Sequence, residues 1–260
     1  MEPVMMTRIV DRVPNAVKTL PHRLFRIFRN ISNLGLSRLC PVCGKHSRRF
    51  LPAGWIRRDE ARCMHCGSLE RHRLSWLYFV RRTDLFDGRP KRMLHVAPEA
   101  CMRPALERRL GAGYITADLS SRDVSINLDI ASLPYPDGYF DVIYCSHVLE
   151  HVEDDRKAMR EFLRTLADDG WAILLVPILA EKTFEDPSIV TPEERLKVYL
   201  QADHVRIYGR DYVERLRDEG FEVEVTTVAD LVSPKERIRF GLGSALSGEI
   251  YRCRKPKPAP

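Results

Sequence analysis

The sequence predicts an α/β protein: a mostly parallel β-sheet with helices on both faces, preceded by a small metal-binding module. Three observations carry this. From Lys91 onward, apolar strand-like runs alternate with amphipathic helical stretches, the pattern of βαβ units joined by right-handed crossovers. One run, "WAILLVPI" (171–178), is apolar almost throughout, as a strand buried on both faces must be. Ahead of these stand two Cys-x-x-Cys pairs, Cys40/Cys43 and Cys63/Cys66, with nineteen residues between them.

Taken in order, residues 1–38 read as a basic, amphipathic lead-in. Leu20, Leu24, Phe25, Ile27, Phe28 and Ile31 approximate a helical stripe with Arg23, Arg26 and Arg29 beside it, suited to a membrane interface or to packing on the protein itself. Residues 39–67 hold the cysteine module. Residues 68–90 read as a linking helix, with Leu74, Leu77, Tyr78 and Val80 toward one side. Residues 91–254 form the main domain. "RMLHVA" is its first strand, "RPALERRLG" a helix stopped by Gly111, and "GYITADLS" a second strand. "SINLDI" and "YFDVIYCSHV" follow as strands, then "DDRKAMREFLRTLADDG" as a helix stopped by Gly170. After the apolar fifth strand come a helix, "RDYVERLRDEGF", and the strands "EVEVTTV" and "EIYRC". Joined by a loop, these last two predict an antiparallel edge. Residues 255–260, "KPKPAP", read as a disordered tail.

Length and composition fit a soluble globular protein: 260 residues, 44% apolar and 30% charged. No apolar run reaches the roughly 18 residues that cross a bilayer, and the charged start lacks a secretory h-region. The expectation is a cytoplasmic protein with reduced cysteines, in contact at most with the periphery of a membrane. The net charge of +6 is uneven: residues 1–91 carry 19 Lys/Arg against 7 Asp/Glu, and residues 92–260 carry 23 against 29. A basic front on an acidic body suits an anionic partner, RNA or a phospholipid surface, or is simply a solvated face.

The cysteines are the sharpest motif. Two knuckles at this spacing converge four thiolates, and Cys40, Cys43, Cys63 and Cys66 are the expected ligands of a closed structural zinc site. With four sulfurs sufficient, His46, His65 and His72 are expected to be surface or packing residues. Cys101, Cys145 and Cys253 stand alone and are expected to be buried, not reactive.

In the main domain, Asp118 ends the second strand about 20 residues after the first βα turn, where a carboxylate can accept from ribose hydroxyls. Then comes "LDIASLPYPDGYFDVIYCSHVLEHV" (128–152). This stretch resembles the middle of a class I S-adenosylmethionine-dependent methyltransferase, of the group that includes the ubiquinone-biosynthesis methyltransferases. The likeness covers residues 91–178, and "LRDEGFEVEV" fits the family's last helix and following strand. It implies a Rossmann-like sheet of seven strands, the last antiparallel, and S-adenosylmethionine as cofactor. It also implies that Asp118 and Leu119 flank the ribose, that Asp129 and Ile130 hold the adenine, and that Ser146 and His147 lie beside the methionine part. "ADHVRIYG" (202–209) resembles a segment that covers substrates in some members.

The resemblance breaks at "HVAPEA". Where the family has an acidic residue and Gly-x-Gly-x-Gly, this chain has His95, Ala97, Glu99 and Cys101. Glycines there let backbone approach the cofactor, but a cofactor without pyrophosphate has less need of an amide nest. The loop is therefore expected to bind still, with Glu99 offering a carboxylate to the cofactor's amino group or sulfonium. An oxygen or nitrogen acceptor must also lose a proton, for which His204, His147 and His151 are the candidate bases. Glu150 with His151 is a further candidate, as a divalent-ion site. The reading is methyl transfer to an O or N acceptor on a small molecule, lipid-linked sugar or glycan. Ribosomal RNA is the alternative acceptor, and a non-catalytic scaffold the further alternative.

Overall fold

A computed structural model describes residues 33–54, 57–243 and 248–257. The amphipathic stripe at Leu20–Ile31 lies outside the described residues, as does the end of the tail. Residues 255–257 carry no regular structure.

The front of the chain is built from four short strands, β1 (Arg38–Leu39), β2 (His46–Ser47), β3 (Leu51–Ala53) and β4 (Arg58–Arg62), paired as two antiparallel hairpins. Helix α1 (Glu70–Arg82) follows. Its buried face carries Leu74, Leu77 and Tyr78 but also the fully buried Arg73, while Val80 points outward at 52% exposure. Val80 falls off the stripe because helical spacing places it beyond the face that Leu74, Leu77 and Tyr78 define. A buried guanidinium is tolerated only when its donors are satisfied. Arg73 donates to Ala61 O and Ser68 O in the module and to Phe240 O and Gly241 O near the C-terminus, and it stacks on the Phe50 ring. One side chain thus ties the module to the far end of the chain.

The main domain runs β5 (Met93–Val96), α2 (Arg103–Leu110), β6 (Tyr114–Asp118), β7 (Ile126–Asn127), β8 (Phe140–Ser146), α3 (Asp155–Thr165) and β9 (Leu166–Leu175). It continues with β10 (Ile178–Ala180), α4 (Pro192–Tyr199), β11 (Tyr208–Gly209), α5 (Tyr212–Asp218) and β12 (Glu222–Thr226). Then come α6 (Val228–Leu231), α7 (Pro234–Arg239) and β13 (Ile250–Arg254). Seven strands form one sheet in the order β12–β13–β9–β8–β5–β6–β7, and β13 alone runs antiparallel to its neighbours. The last two strands pair as the antiparallel edge that the sequence suggested, with the reversed strand one place in from the rim. It inserts between β9 and β12, burying Tyr251 and Cys253, and leaves β12 outermost.

The helix expected to reach Gly170 stops at Thr165. Leu166 is buried and pairs with Phe140, so the chain joins the sheet there, and a register shift follows before Val142 meets Trp171. The stretch between β12 and β13 is more than a loop. Thr227 and Ser233 each cap a short helix through a reciprocal bond with Asp230 and Glu236. No helix among the described residues is long and apolar enough to cross a membrane.

Candidate functional site

The two cysteine knuckles have the same backbone. In the first, Cys40 N–H donates to Lys45 O and Gly44 N–H to Cys40 O; in the second, Cys63 N–H donates to Ser68 O and Gly67 N–H to Cys63 O. Gly44 and Gly67 close the turns at φ of +70° and +78°, which a side chain would disfavour. The four sulfurs lie within 4.8 Å of one another, with Cys40–Cys66 at 3.7 Å and Cys43–Cys63 at 3.9 Å. Tetrahedral zinc–thiolate bonds would separate sulfurs by about 3.8 Å. The cluster can therefore hold a metal ion. The neighbouring sulfurs, and then burial, push the Cys40 thiol up.

The second site lies where strand order reverses. β5 is flanked by β6 on one side and β8 on the other, and the crevice beyond their carboxyl ends is where open α/β sheets take ligands. Register aligns Val96 with Ala117 and with Cys145, so one step further Ala97, Asp118 and Ser146 form a row across the three strand ends. Two residues in this region are strained. Ala97 has φ +47° and His147 φ +57°, both in the left-handed region. Each costs on the order of 1 kcal/mol and persists only where the surroundings demand it. Ala97 keeps the backbone shape that a glycine would adopt, with its N–H on Ala117 O at 2.8 Å.

Beyond Ala97, the chain folds Glu99 back onto the strand. His95 is fully buried, with Nε2 2.7 Å from Glu99 Oε2 and Nδ1 2.6 Å from the Tyr114 hydroxyl. Burial acts to raise the Glu99 carboxyl, but the His95 hydrogen bond and charge, with His72, outweigh it and hold Glu99 at about 2. Glu99 is thus ionised, with His95 Nε2 against its carboxylate and His95 Nδ1 against the Tyr114 hydroxyl. Glu99 Oε1 is buried without a partner. So are His72 Nε2, Ser146 Oγ and Glu150 Oε2, four side-chain atoms borne on the strand ends, their loops or the first turn of α1. Buried polar atoms are normally satisfied by protein, water or a ligand, and the chain itself leaves these four unpaired.

Asp118 directs Oδ1 at the Ser120 and Ser121 N–H groups, 2.9 and 2.8 Å away, which fixes the carboxylate at the strand end and leaves Oδ2 outside the turn. It lines a cavity of about 430 Å³ with Ala97, Pro98, Ala100 and Ser121. Leu119 is 73% exposed beside it. Asp129 is exposed and accepts from Ala131 N–H, whereas Ile130 is buried.

On the other flank, Glu150, His151 and His204 each bring one donor atom within 4.8 Å of the others. His147 Nδ1 lies 3.4 Å from Glu150 Oε1, and the His151 and His204 rings meet edge-on at 4.6 Å. His204 comes from the segment between β10 and β11. Arg206 locks that segment down by donating to Leu149 O and Glu153 O, and Val205 N–H donates to Glu150 O. Burial first, then His151, depresses the His204 pKa. Cys145 and Cys253 are fully buried, and burial pushes the Cys101 thiol up to about 12, so none is a nucleophile at neutral pH.

The structure therefore brings the sequence-predicted residues into two neighbouring groups: Ala97, Glu99, Asp118 and Ser146 along the strand ends, and His147, His151 and His204 beside them. Sequence reasoning missed His72. Of the surface or packing places expected for it, it takes the second, buried in the first turn of α1 and 3.8 Å from Glu99 Oε1. Its only signal is that it shares a helix with Arg73, whose place next to Leu74 puts charge on an apolar stripe.

A sheet with a single reversed strand next to its outer edge has its switch point at β5, where open α/β sheets take ligands. Residues 101–174 match the family model described as a methyltransferase domain. Over that segment the chain is similar to methyltransferase domains. It is 26% identical over 153 residues to ajmaline N-methyltransferase of Rauvolfia serpentina, a match covering 56% of this chain and 52% of that protein. It is 41% identical over 75 residues to an uncharacterized methyltransferase, YcgJ, of Bacillus subtilis, covering 29% of this chain and 28% of that one. The chain thus spans about half or less of these relatives. Among solved structures, it is similar to Burkholderia thailandensis 1,6-didemethyltoxoflavin-N1-methyltransferase with bound S-adenosylhomocysteine. That match has 14% identity and a TM-score of 0.46, and covers 67% of this chain and 75% of that one.

Proposed function

We propose that the protein transfers a methyl group from S-adenosylmethionine to an oxygen or nitrogen of a small molecule, lipid-linked sugar or glycan. The observation that carries this is the row of Ala97, Asp118 and Ser146 with the histidine group beside it. Ala97 keeps the loop in the shape a glycine would give, and Glu99 and Ser146 present unsatisfied polar atoms. Asp118 would take the ribose hydroxyls, with Leu119 beside them; Asp129 and Ile130 would take the adenine. The bound cofactor supplies an electrophilic methyl group on a sulfonium. The chain's own task is to orient the acceptor and exclude water, since displacement at a methyl depends on alignment.

His204, neutral because burial depresses its pKa, would accept the acceptor's proton at a ring nitrogen, with His147 and His151 alongside. A second reading of the same group has one observation behind it. Glu150 is 1% exposed with Oε2 unpartnered, so Glu150, His151 and His204 would suit a divalent cation that orients the acceptor. Rate loss on chelation, restored by Mg²⁺ or Mn²⁺ while the cysteine site stays loaded, would select this reading. The sulfur spacing supports zinc in the four-cysteine site.

RNA is a weaker acceptor candidate, because among the described residues several arginines of the front are already paired or buried. Arg38 pairs with Glu60, Arg58 with Glu70 and Arg81 with Glu236, and Arg73 is buried. RNA binding that falls steeply with salt would revive it.

The test is calorimetric titration of the folded, metal-loaded protein with S-adenosylmethionine and S-adenosylhomocysteine. The expected result is micromolar binding, weakened about tenfold to a hundredfold in Asp118→Ala, the loss of charge-assisted hydrogen bonds. No binding up to millimolar cofactor would overturn the enzyme reading and leave a scaffold.

A further inference from the structure

The first turn of α1 touches both sites. On the module side, Ser68 receives Cys63 N–H on its carbonyl, and its hydroxyl lies 3.1 Å from Cys40 Sγ. Leu69 then opens the helix. As an apolar residue it cannot cap with its own side chain; instead its N–H donates to His72 Nδ1 at 3.1 Å. That bond fixes the imidazole's tautomer and orientation. With Nδ1 accepting, the ring proton sits on Nε2, and Nε2 faces Glu99 Oε1 across 3.8 Å.

This distance is too long for a hydrogen bond. Both atoms are buried and neither has another partner. Two complementary polar atoms, a fixed N–H and an ionised carboxylate oxygen, are therefore held between the first turn of α1 and the loop after β5 without satisfying each other. Left so in the working protein, each would carry the desolvation penalty of an unmade hydrogen bond. A zwitterionic head group would relieve both, its ammonium accepted by Glu99 Oε1 and its carboxylate served by His72 Nε2–H.

We infer that His72, contributed by the helix leaving the cysteine module, is a positioning residue for the amino-acid end of the cofactor and works as a pair with Glu99. This rests on the methyltransferase reading above. It makes the cofactor site a joint product of two parts of the chain, because His72 lies before the first strand of the sheet. The module would then serve to hold α1 in place, rather than to meet the acceptor.

The experiment compares S-adenosylhomocysteine, which carries the amino-acid end, with 5′-methylthioadenosine, which lacks it, by calorimetry on the full-length, metal-loaded protein. In His72→Gln, affinity for S-adenosylhomocysteine is expected to fall about tenfold while that for methylthioadenosine stays within twofold. Glu99→Gln keeps the shape of the loop and is expected to show the same selective loss, so the inference stays testable if His72→Gln folds poorly. The double variant is expected to lose little more than either single one. Equal losses for both ligands would mean a purely structural role, and unchanged binding of both would mean none; either result overturns the inference. Failure of the unaltered protein to bind either ligand would instead refute the methyltransferase reading.

Discussion

The cysteine module and the strand-end site are assembled in opposite ways. The module uses one local device twice: a Cys-x-x-Cys turn closed by a positive-φ glycine and the same pair of backbone bonds. Each half is complete within about six residues. The strand-end site has no such unit. Ala97, Asp118 and Ser146 come from three strands and meet only through sheet register, while His72 arrives from a helix before the sheet begins. A site of the first kind should fail as a whole when one ligand is lost. A site of the second kind should fail in parts, with the fold intact.

The largest effect follows from that contrast. Cys63→Ser removes one of four sulfurs and with it the tetrahedron, so metal content should fall from one equivalent to near zero. Stability should fall by several kcal/mol, since metal binding and folding of such a module are one equilibrium. Metal analysis with thermal unfolding reads both. Asp118→Ala, by comparison, should keep its metal and its unfolding midpoint while losing cofactor. Retention of metal and stability in Cys63→Ser would break the comparison.

The same contrast sets what could be read before the structure. Cys40, Cys43, Cys63 and Cys66 were legible because spacing alone determines a knuckle. The alternating α/β pattern placed Asp118 at a strand end and the resemblance singled out Ser146, and both residues do end their strands. His72 was not legible, since its role depends on where α1 docks, which no local pattern encodes. Strand order was also hidden: nothing in "EIYRC" says that it inserts beside β9. The end of α3 was misplaced because Gly170, a helix stop in sequence, instead packs closely against Asp141 O, where a Cβ would come within 2.9 Å. Ala97 shows a further limit, for an alanine does not advertise a positive φ.

Acid gives an effect of intermediate size and sharpens the comparison on the side of α1. Burial holds His72 at about 4, against an ordinary 6.5. As pH falls, the unfolded chain takes up this proton first, so the stability from keeping His72 neutral is whole above 6.5 and is lost on going down to about 4. It amounts to something on the order of 3 kcal/mol. Glu99, at about 2 against 4.5, adds a second loss in the window between those values. Urea midpoints should therefore decline already between pH 6.5 and 4, and His72→Gln should flatten that upper window and trim the lower one, in which His72 has a smaller part than His95. Metal content is followed in parallel, so that acid release from the cysteines is not counted. Parallel curves for the two proteins would show that His72 does not titrate as an isolated buried imidazole.

The smallest effect is expected from Ala97→Gly. Glycine adopts φ +47° without the Cβ conflict that alanine carries, so the substitution removes strain of about 1 kcal/mol. Some of that gain is returned, because glycine has more freedom to lose on folding. The net change should be a stability equal to or slightly above that of the unaltered protein, and a cofactor affinity within about twofold. This tests the claim that the loop already has the shape a glycine would give it. If Ala97→Gly binds S-adenosylhomocysteine tenfold or more better, the methyl group was obstructing the cofactor and the loop is a damaged one. If it binds tenfold worse, the alanine makes a contact that glycine cannot, and the loop is specialised for something the shared backbone shape does not explain. Near-equality alone fits a loop in which geometry, set by Pro98 and by Glu99 folding back on His95, does the work that glycine does elsewhere.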